Sequence, residues 1–186
     1  MSMLTLFVDD HLYLKQLETP DALTIFETIN SQRDYLRQWL PFVDHTQEIG
    51  DTIQFIKTVN QDKERVFVLK YEEQFAGLIG FRDTDKSNKK SEIGYWLSEP
   101  FQKKGIVTNA VKVLVKYAFD ELNMNRIEIK CAVGNAPSKR IPQRLGFSFE
   151  GIIRQGELFP DGRFVDLECY SLLRHDMVSW LENATI

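Results

Sequence analysis

Cysteine is scarce in this chain. The two present, Cys131 and Cys169, lack CxxC spacing. That rules out a disulfide framework and fits a reducing cytoplasm. Glycine and proline together number 16, from 10 Gly and 6 Pro, too few for a low-complexity chain. Positive charge is in deficit: 23 Lys and Arg face 27 Asp and Glu, a formal net charge of −4. Such a balance argues against direct nucleic-acid binding, which needs clustered basic residues. Runs without a polar residue are short; Phe75 to Phe81 is typical and cannot span a bilayer, so no membrane association is expected. The first basic residue is Lys15, and Asp9-Asp10 interrupt the early apolar stretch, a pattern unlike a secretory signal.

Apolar residues make up 43% of the 186 and aromatics 12%. At roughly 150 residues per domain this predicts one domain, residues 1–186, with a sizeable core. Leu12–Leu17 reads as a strand, and Pro20-Asp21 opens a helix with Leu23, Phe26 and Ile29 at helical spacing. Arg33–Leu40 and Gln47–Lys63 follow as helices, the latter with Ile49, Ile53, Ile56 and Val59 on one face. Val66–Tyr71 and Phe75–Arg82 read as a hairpin about Glu72-Glu73-Gln74, Asp83–Lys90 as a polar loop, and Glu92–Leu97 as a further strand.

From Gly105 the sequence is strongly amphipathic: Val111, Leu114, Val115, Ala118, Phe119 and Leu122 recur at i, i+3, i+4, i+7, i+8 and i+11. Ile127, Ile129, Cys131 and Val133 alternate with polar residues as a half-buried strand. A short helix over Asn135–Leu145, strands over Phe147–Ile153 and Phe164–Leu172, and a helix from Arg174 to Leu181 complete the reading. The order predicts an α/β (α+β) domain with a mixed central sheet covered by helices.

The chemistry concentrates where Pro100-Phe101-Gln102-Lys103-Lys104-Gly105-Ile106-Val107-Thr108 leads from a strand into the long helix. A helix start offers unpaired N–H groups and a positive dipole end, which suit phosphate; Gly105 allows close backbone approach, and two lysines add charge. A capped helix with solvated lysines is the plainer reading. Neither GxxxxGK[ST] nor GxGxxG occurs, so nucleotide hydrolysis and dinucleotide binding have no motif support. HExxH and clustered Cys/His are absent, and Asp83-Thr-Asp85 fails as a calcium loop, so no metal is expected.

Gln102-Lys-Lys-Gly-Ile-Val107, then Asn135-Ala-Pro-Ser138, then Leu145-Gly-Phe147, resembles the Gcn5-related N-acetyltransferases, whose Q/R-x-x-G-x-G/A loop binds the pyrophosphate of coenzyme A. Ile93-Gly-Tyr-Trp-Leu97, Asn135-x-x-Ser138, and Gly151 followed by Glu157 are most similar to the ribosomal-protein alanine and serine N-terminal acetyltransferases. The resemblance implies a mostly antiparallel sheet with helices on both faces and a splayed strand pair for acetyl-CoA. It implies cofactor contacts along Tyr95, Trp96 and Leu97, through Gln102, Lys103, Lys104, Gly105, Ile106, Val107 and Thr108, and at Asn135 and Ser138. Val107 departs from the usual Gly or Ala, an exchange expected at most to weaken cofactor affinity.

Ser138 and Glu157 match the branch's proposed acid and base. By position alone Ser138 reads equally as a helix-cap serine, and Glu157 as a solvated carboxylate. Arg33, Tyr35, Trp39, Phe42 and His45 lie where the family's variable helices line the acceptor pocket; Trp39 and Phe42 also read as core. Cys131 has the parity of a buried face and reads as core rather than nucleophile. Pro142 withholds an N–H from the Ser138 carbonyl and is expected to kink its helix and leave that carbonyl open.

The expected function is acetyl transfer to an amine in a ternary complex, the amine being a ribosomal protein's N-terminus. The alternatives are an aminoglycoside or polyamine acceptor and a non-catalytic acyl-CoA-binding regulator. The sequence leaves both a monomer and a homo-oligomer open.

Overall fold

The computed structural model describes residues 4–59 and 65–177. Eight strands form one sheet: β1 (Thr5–Phe7), β2 (Leu12–Gln16), β3 (Arg65–Tyr71), β4 (Gln74–Asp85), β5 (Lys90–Leu97), β6 (Arg126–Ala132), β7 (Ser148–Leu158) and β8 (Phe164–Leu173). Their spatial order is β1-β2-β3-β4-β5-β6-β8-β7. The helices are α1 (Ala22–Ser31), α2 (Arg33–Leu36), α3 (Ile49–Val59), α4 (Ile106–Asp120) and α5 (Ala136–Arg144).

Helices cover both faces. On one, the apolar stripe of α4 packs with Phe67, Ile79, Ile93, Ile127 and Ile129 of the sheet. On the other, Ile25 and Ile29 of α1 and Ile56 and Val59 of α3 meet Val68, Leu78 and Trp96. The period-two alternation along β4 and β5 feeds both layers, because successive side chains point to opposite faces.

Among the described residues β5 and β6 are the one parallel pair, joined by α4 as crossover. Their pairing is brief: Lys90, Ser91 and Glu92 match Arg126, Ile127 and Glu128, and no pair follows. Beyond Glu92 the two strands part. The β6-facing backbone groups of Ile93–Leu97 thereby lose their ladder partners, and a cleft opens through the sheet.

Several expected boundaries shift. β1 is additional; it is three residues long and defined by its pairing with β2. The second helix is only Arg33–Leu36, and Pro41–His45 forms a separate 3-10 turn. The buried face of α1 is Ala22, Ile25 and Ile29, with Leu23 53% exposed. On α3 the buried residues are Thr52, Ile56 and Val59, and Ile49 faces out. The expected polar loop is narrower, since β4 runs on to Asp85. Val133 lies past the end of β6 and is exposed. A 3-10 turn spans Arg174–Asp176; the expected helical residues 60–63 and 178–181 fall outside the described residues.

Candidate active site

The turn that leads into α4 is built from left-handed backbone. Lys103 (φ 62°) and Gly105 (φ 74°) both adopt it, and Gly105 is the N-cap of α4. A Cβ on Gly105 would meet nothing nearer than Asn109 Nδ2 at 3.7 Å, so its conformation, not crowding, requires glycine. The Gln102 N–H donates to Glu99 O at 3.1 Å; the next amide with a backbone acceptor among the described residues is that of Asn109, on Gly105 O at 3.0 Å. The N–H groups between them ring an exposed turn at the positive end of a 15-residue helix. They fit a diphosphate.

Val107 is 7% exposed and packs into the core beneath the turn. Its branched side chain therefore points away from the surface that an anion approaches. Ile106 and Thr108 are also buried, so this stretch offers backbone rather than side chains. Lys104 Nζ stands 5.1 Å from the Tyr71 ring centroid and 5.4 Å from that of Phe101, a cation–π cradle. The Gln102 amide donates to the Tyr35 hydroxyl. Sequence pattern gave no sign of that partner, 67 residues away.

A cavity of about 690 Å³ lies where β5 and β6 part. Tyr95, Trp96, Cys131, Asn135 and Ser138 border it on the cleft side, with Trp39 and Phe42 from the helical layer and Glu157 from β7. Gly80 and Gly94 face each other across β4 and β5 in its wall. The Arg82 side chain lies against Gly94: a Cβ there would lie 3.0 Å from Arg82 Cδ. Glu92, 5% exposed, holds Lys130 Nζ at 2.7 Å and Arg82 Nε at 3.4 Å. A buried carboxylate with two cations keeps this wall polar without an unpaired charge.

Asn135 caps α5, its Oδ1 accepting the Ser138 N–H at 3.2 Å. The Ser138 hydroxyl lies 3.2 Å from the Tyr95 hydroxyl, which also donates to the Ser138 carbonyl at 3.2 Å. That carbonyl is the one deprived of a helical donor by Pro142, and α5 runs through the proline. It is closed by Tyr95 rather than left open. Burial pushes the Tyr95 phenol well above its ordinary range, so it stays protonated and able to donate.

Glu157 owes its place to a strand irregularity. Register shifts between Ile153 and Glu157, Gln155 adopts φ 50°, and its N–H donates to Asp166 Oδ1 at 2.8 Å. Such a bulge re-aims the side chains that follow it. The carboxyl is half-buried, and its pKa is raised, chiefly by burial and further by the Glu92 carboxylate, against the opposing pull of Arg82. A carboxyl so placed binds a proton more readily than a solvated one.

Three expected acceptor residues stand outside the cavity wall, Tyr35 among them with its hydroxyl on the Gln102 side chain and the Leu97 carbonyl. The Arg33 guanidinium is committed to the Val43 carbonyl at 2.7 Å and the Thr46 carbonyl at 2.5 Å, and so fastens the Pro41–His45 turn to α2. His45 is exposed on that turn. Cys131 borders the cavity as a buried thiol, pushed up to about 11 chiefly by burial and by Glu168. No group of His, Cys, Asp and Glu suited to a metal occurs among the described residues. Nor is any helix among them long and apolar enough to cross a membrane.

A sheet split beside the left-handed turn that opens α4 is the architecture of an acetyl-CoA-dependent N-acetyltransferase. The acetyltransferase (GNAT) domain family matches residues 11–148, and the chain belongs to that family. It is 37% identical over 182 residues to a putative ribosomal N-acetyltransferase, YdaF, of Bacillus subtilis (strain 168), covering 94% of this chain and 97% of that protein. The ribosomal-protein-serine acetyltransferase of Escherichia coli (strain K12) is 29% identical over 171 residues, covering 90% and 95%. Among solved structures, the microcin C7 self-immunity acetyltransferase MccE in complex with acetyl-CoA and AMP superposes with a TM-score of 0.85 at 30% identity, covering 89% of this chain and 94% of that one.

Proposed function

We propose that this enzyme acetylates the α-amine of a protein N-terminus, that of a ribosomal protein beginning with Ser or Ala, by direct attack in a ternary complex. The carrying observation is that one cavity holds both the Ser138 hydroxyl and a half-buried Glu157 with a raised pKa. The names of the two relatives above support the acceptor class. The two free thiols, Cys131 and Cys169, support the cytoplasm as the compartment.

When bound, acetyl-CoA supplies the activated acyl group. The main chain from Lys103 to Thr108 holds its diphosphate. The unpaired backbone of β5 beyond Glu92 orients the pantetheine arm and offers N–H groups to the acyl oxygen. Glu157 takes a proton from the acceptor ammonium, leaving a neutral amine; Ser138 gives its proton to the departing sulfur and regains one from the attacking nitrogen, which sheds its second proton as the amide forms. The Tyr95 hydroxyl, 3.2 Å from Ser138 Oγ, holds the serine side chain in place.

Thiol release from acetyl-CoA, measured with peptides bearing free Ser or Ala N-termini, N-terminally blocked peptides, spermidine and an aminoglycoside, tests the proposal. Free N-termini should react about tenfold or more faster than the small amines, in kcat/KM. A preference for spermidine or the aminoglycoside would overturn the acceptor assignment. Coenzyme A binding without turnover of any amine would point instead to a regulatory acyl-CoA-binding protein.

A further inference from the structure

The acceptor wall and the coenzyme A turn belong to separate parts of the chain, yet two residues of one helical segment tie them together. Tyr35 on α2 accepts from the Gln102 side chain and donates to the Leu97 carbonyl at 3.3 Å. One turn earlier, Gln32 Oε1 accepts from the Glu99 N–H at 2.9 Å, and its Nε2 donates to Ser98 Oγ at 2.8 Å. Ser98 is buried. The whole connection from the end of the splayed strand to the anion turn is thus clasped by a single short helix. The same helix is bound on its other side, through Arg33, to the Val43 and Thr46 carbonyls. That fastens the turn whose Pro41 and Phe42 border the cavity.

We infer that Tyr35 is a positioning residue through which occupation of the coenzyme A turn orders the acceptor wall. The inference rests on the proposed placing of diphosphate at the turn and of acceptor beside Trp39 and Phe42. Tyr35 touches neither reacting group. Its hydroxyl is spent on the Gln102 side chain and on the carbonyl of Leu97, the last residue of β5. A ligand that fixes the turn therefore fixes α2, and Arg33 passes the restraint to residues 41–46. Linkage makes the effect reciprocal: an acceptor that orders the wall tightens coenzyme A binding.

Hydrogen–deuterium exchange with coenzyme A as probe needs no acceptor. In the wild-type protein, exchange should slow at residues 97–108 and also at residues 33–46. In Tyr35→Phe the slowing at 97–108 should stay while that at 33–46 falls to the part that the Gln32 contacts carry, with an unchanged melting temperature to show that the fold is kept. Gln102→Ala removes the same link from the other side and should behave alike. Calorimetric affinities for coenzyme A should fall about fivefold in each single variant, the effect of one hydrogen bond, and no further in the double variant. Protection at 33–46 that is undiminished in both variants, or is missing from the wild type while 97–108 is protected, overturns the inference alone. Protection at neither segment overturns the placing of coenzyme A as well.

Discussion

Tyr95 and Ser138, 43 residues apart in sequence, close a gap that a proline opens. The phenol donates to the Ser138 carbonyl at 3.2 Å, where Pro142 has no N–H to give. The same phenol lies 3.2 Å from the Ser138 hydroxyl, so a repair of the helix doubles as a constraint on the proposed acid. Tyr95→Phe should cost about 1–2 kcal/mol in urea denaturation, because it leaves a half-buried carbonyl unpaired. In a Pro142→Ala background the helix can supply its own donor, and the cost should shrink. Equal costs in both backgrounds would show that the phenol does not serve this carbonyl.

The proposed acid and base separate binding from chemistry. Glu157→Gln and Ser138→Ala should each lower kcat about 10²-fold or more, while the calorimetric affinity for coenzyme A stays intact in Glu157→Gln and falls no more than about fivefold, one hydrogen bond, in Ser138→Ala. An unchanged kcat in either variant removes that residue from the mechanism.

Their pH dependence has a definite sign. The active form of Glu157 is the carboxylate, and burial raises its pKa above the ordinary 4.5. Activity should therefore fall with decreasing pH, and at a higher pH than a solvated glutamate would set. This acid limb of kcat/KM should disappear from the residual activity of Glu157→Gln. A limb that persists there belongs to another group.

Cys131 borders the cavity but holds its proton. With its pKa pushed up to about 11, only a trace of thiolate exists at neutral pH. Cys131→Ala should keep kcat within about threefold of wild type, and intact-protein mass spectrometry after mixing with acetyl-CoA alone should show no acetylated enzyme. Loss of turnover together with an acetyl adduct on Cys131 would replace direct transfer by a covalent route.

How much of this was readable before folding depended on how local the cause was. The stripe on α4 was plain because Val111, Leu114, Val115, Ala118 and Phe119 are all fully buried, so burial and periodicity coincide. The turn that opens α4 is legible in the sequence because Gly105 stands at the helix start. The α1 face was misjudged by one step, from Leu23 and Phe26 to Ala22 and Ile25, since both sets satisfy helical spacing and only the sheet decides between them. The parting of β5 and β6 leaves no mark in either strand's pattern, because it concerns where pairing stops. The cavity-facing place of Glu157 depends on a bulge fixed by Asp166, eleven residues from Gln155. Arg33 looked like a substrate ligand by position, but its two carbonyl partners lie 10 and 13 residues on. The link from Tyr35 to Gln102 has no signature short of the fold.

The central claim is that the main chain between Lys103 and Thr108 grips a diphosphate and so delivers an acyl group to the cleft beside Ser138. Parallel calorimetric titrations with coenzyme A and with pantetheine, which lacks the diphosphate and nucleotide, test it most directly. Saturable one-to-one heat with coenzyme A, and an affinity for pantetheine lower by about a hundredfold or more, is the predicted result. Equal affinities, or no heat with coenzyme A at millimolar concentration, would contradict it.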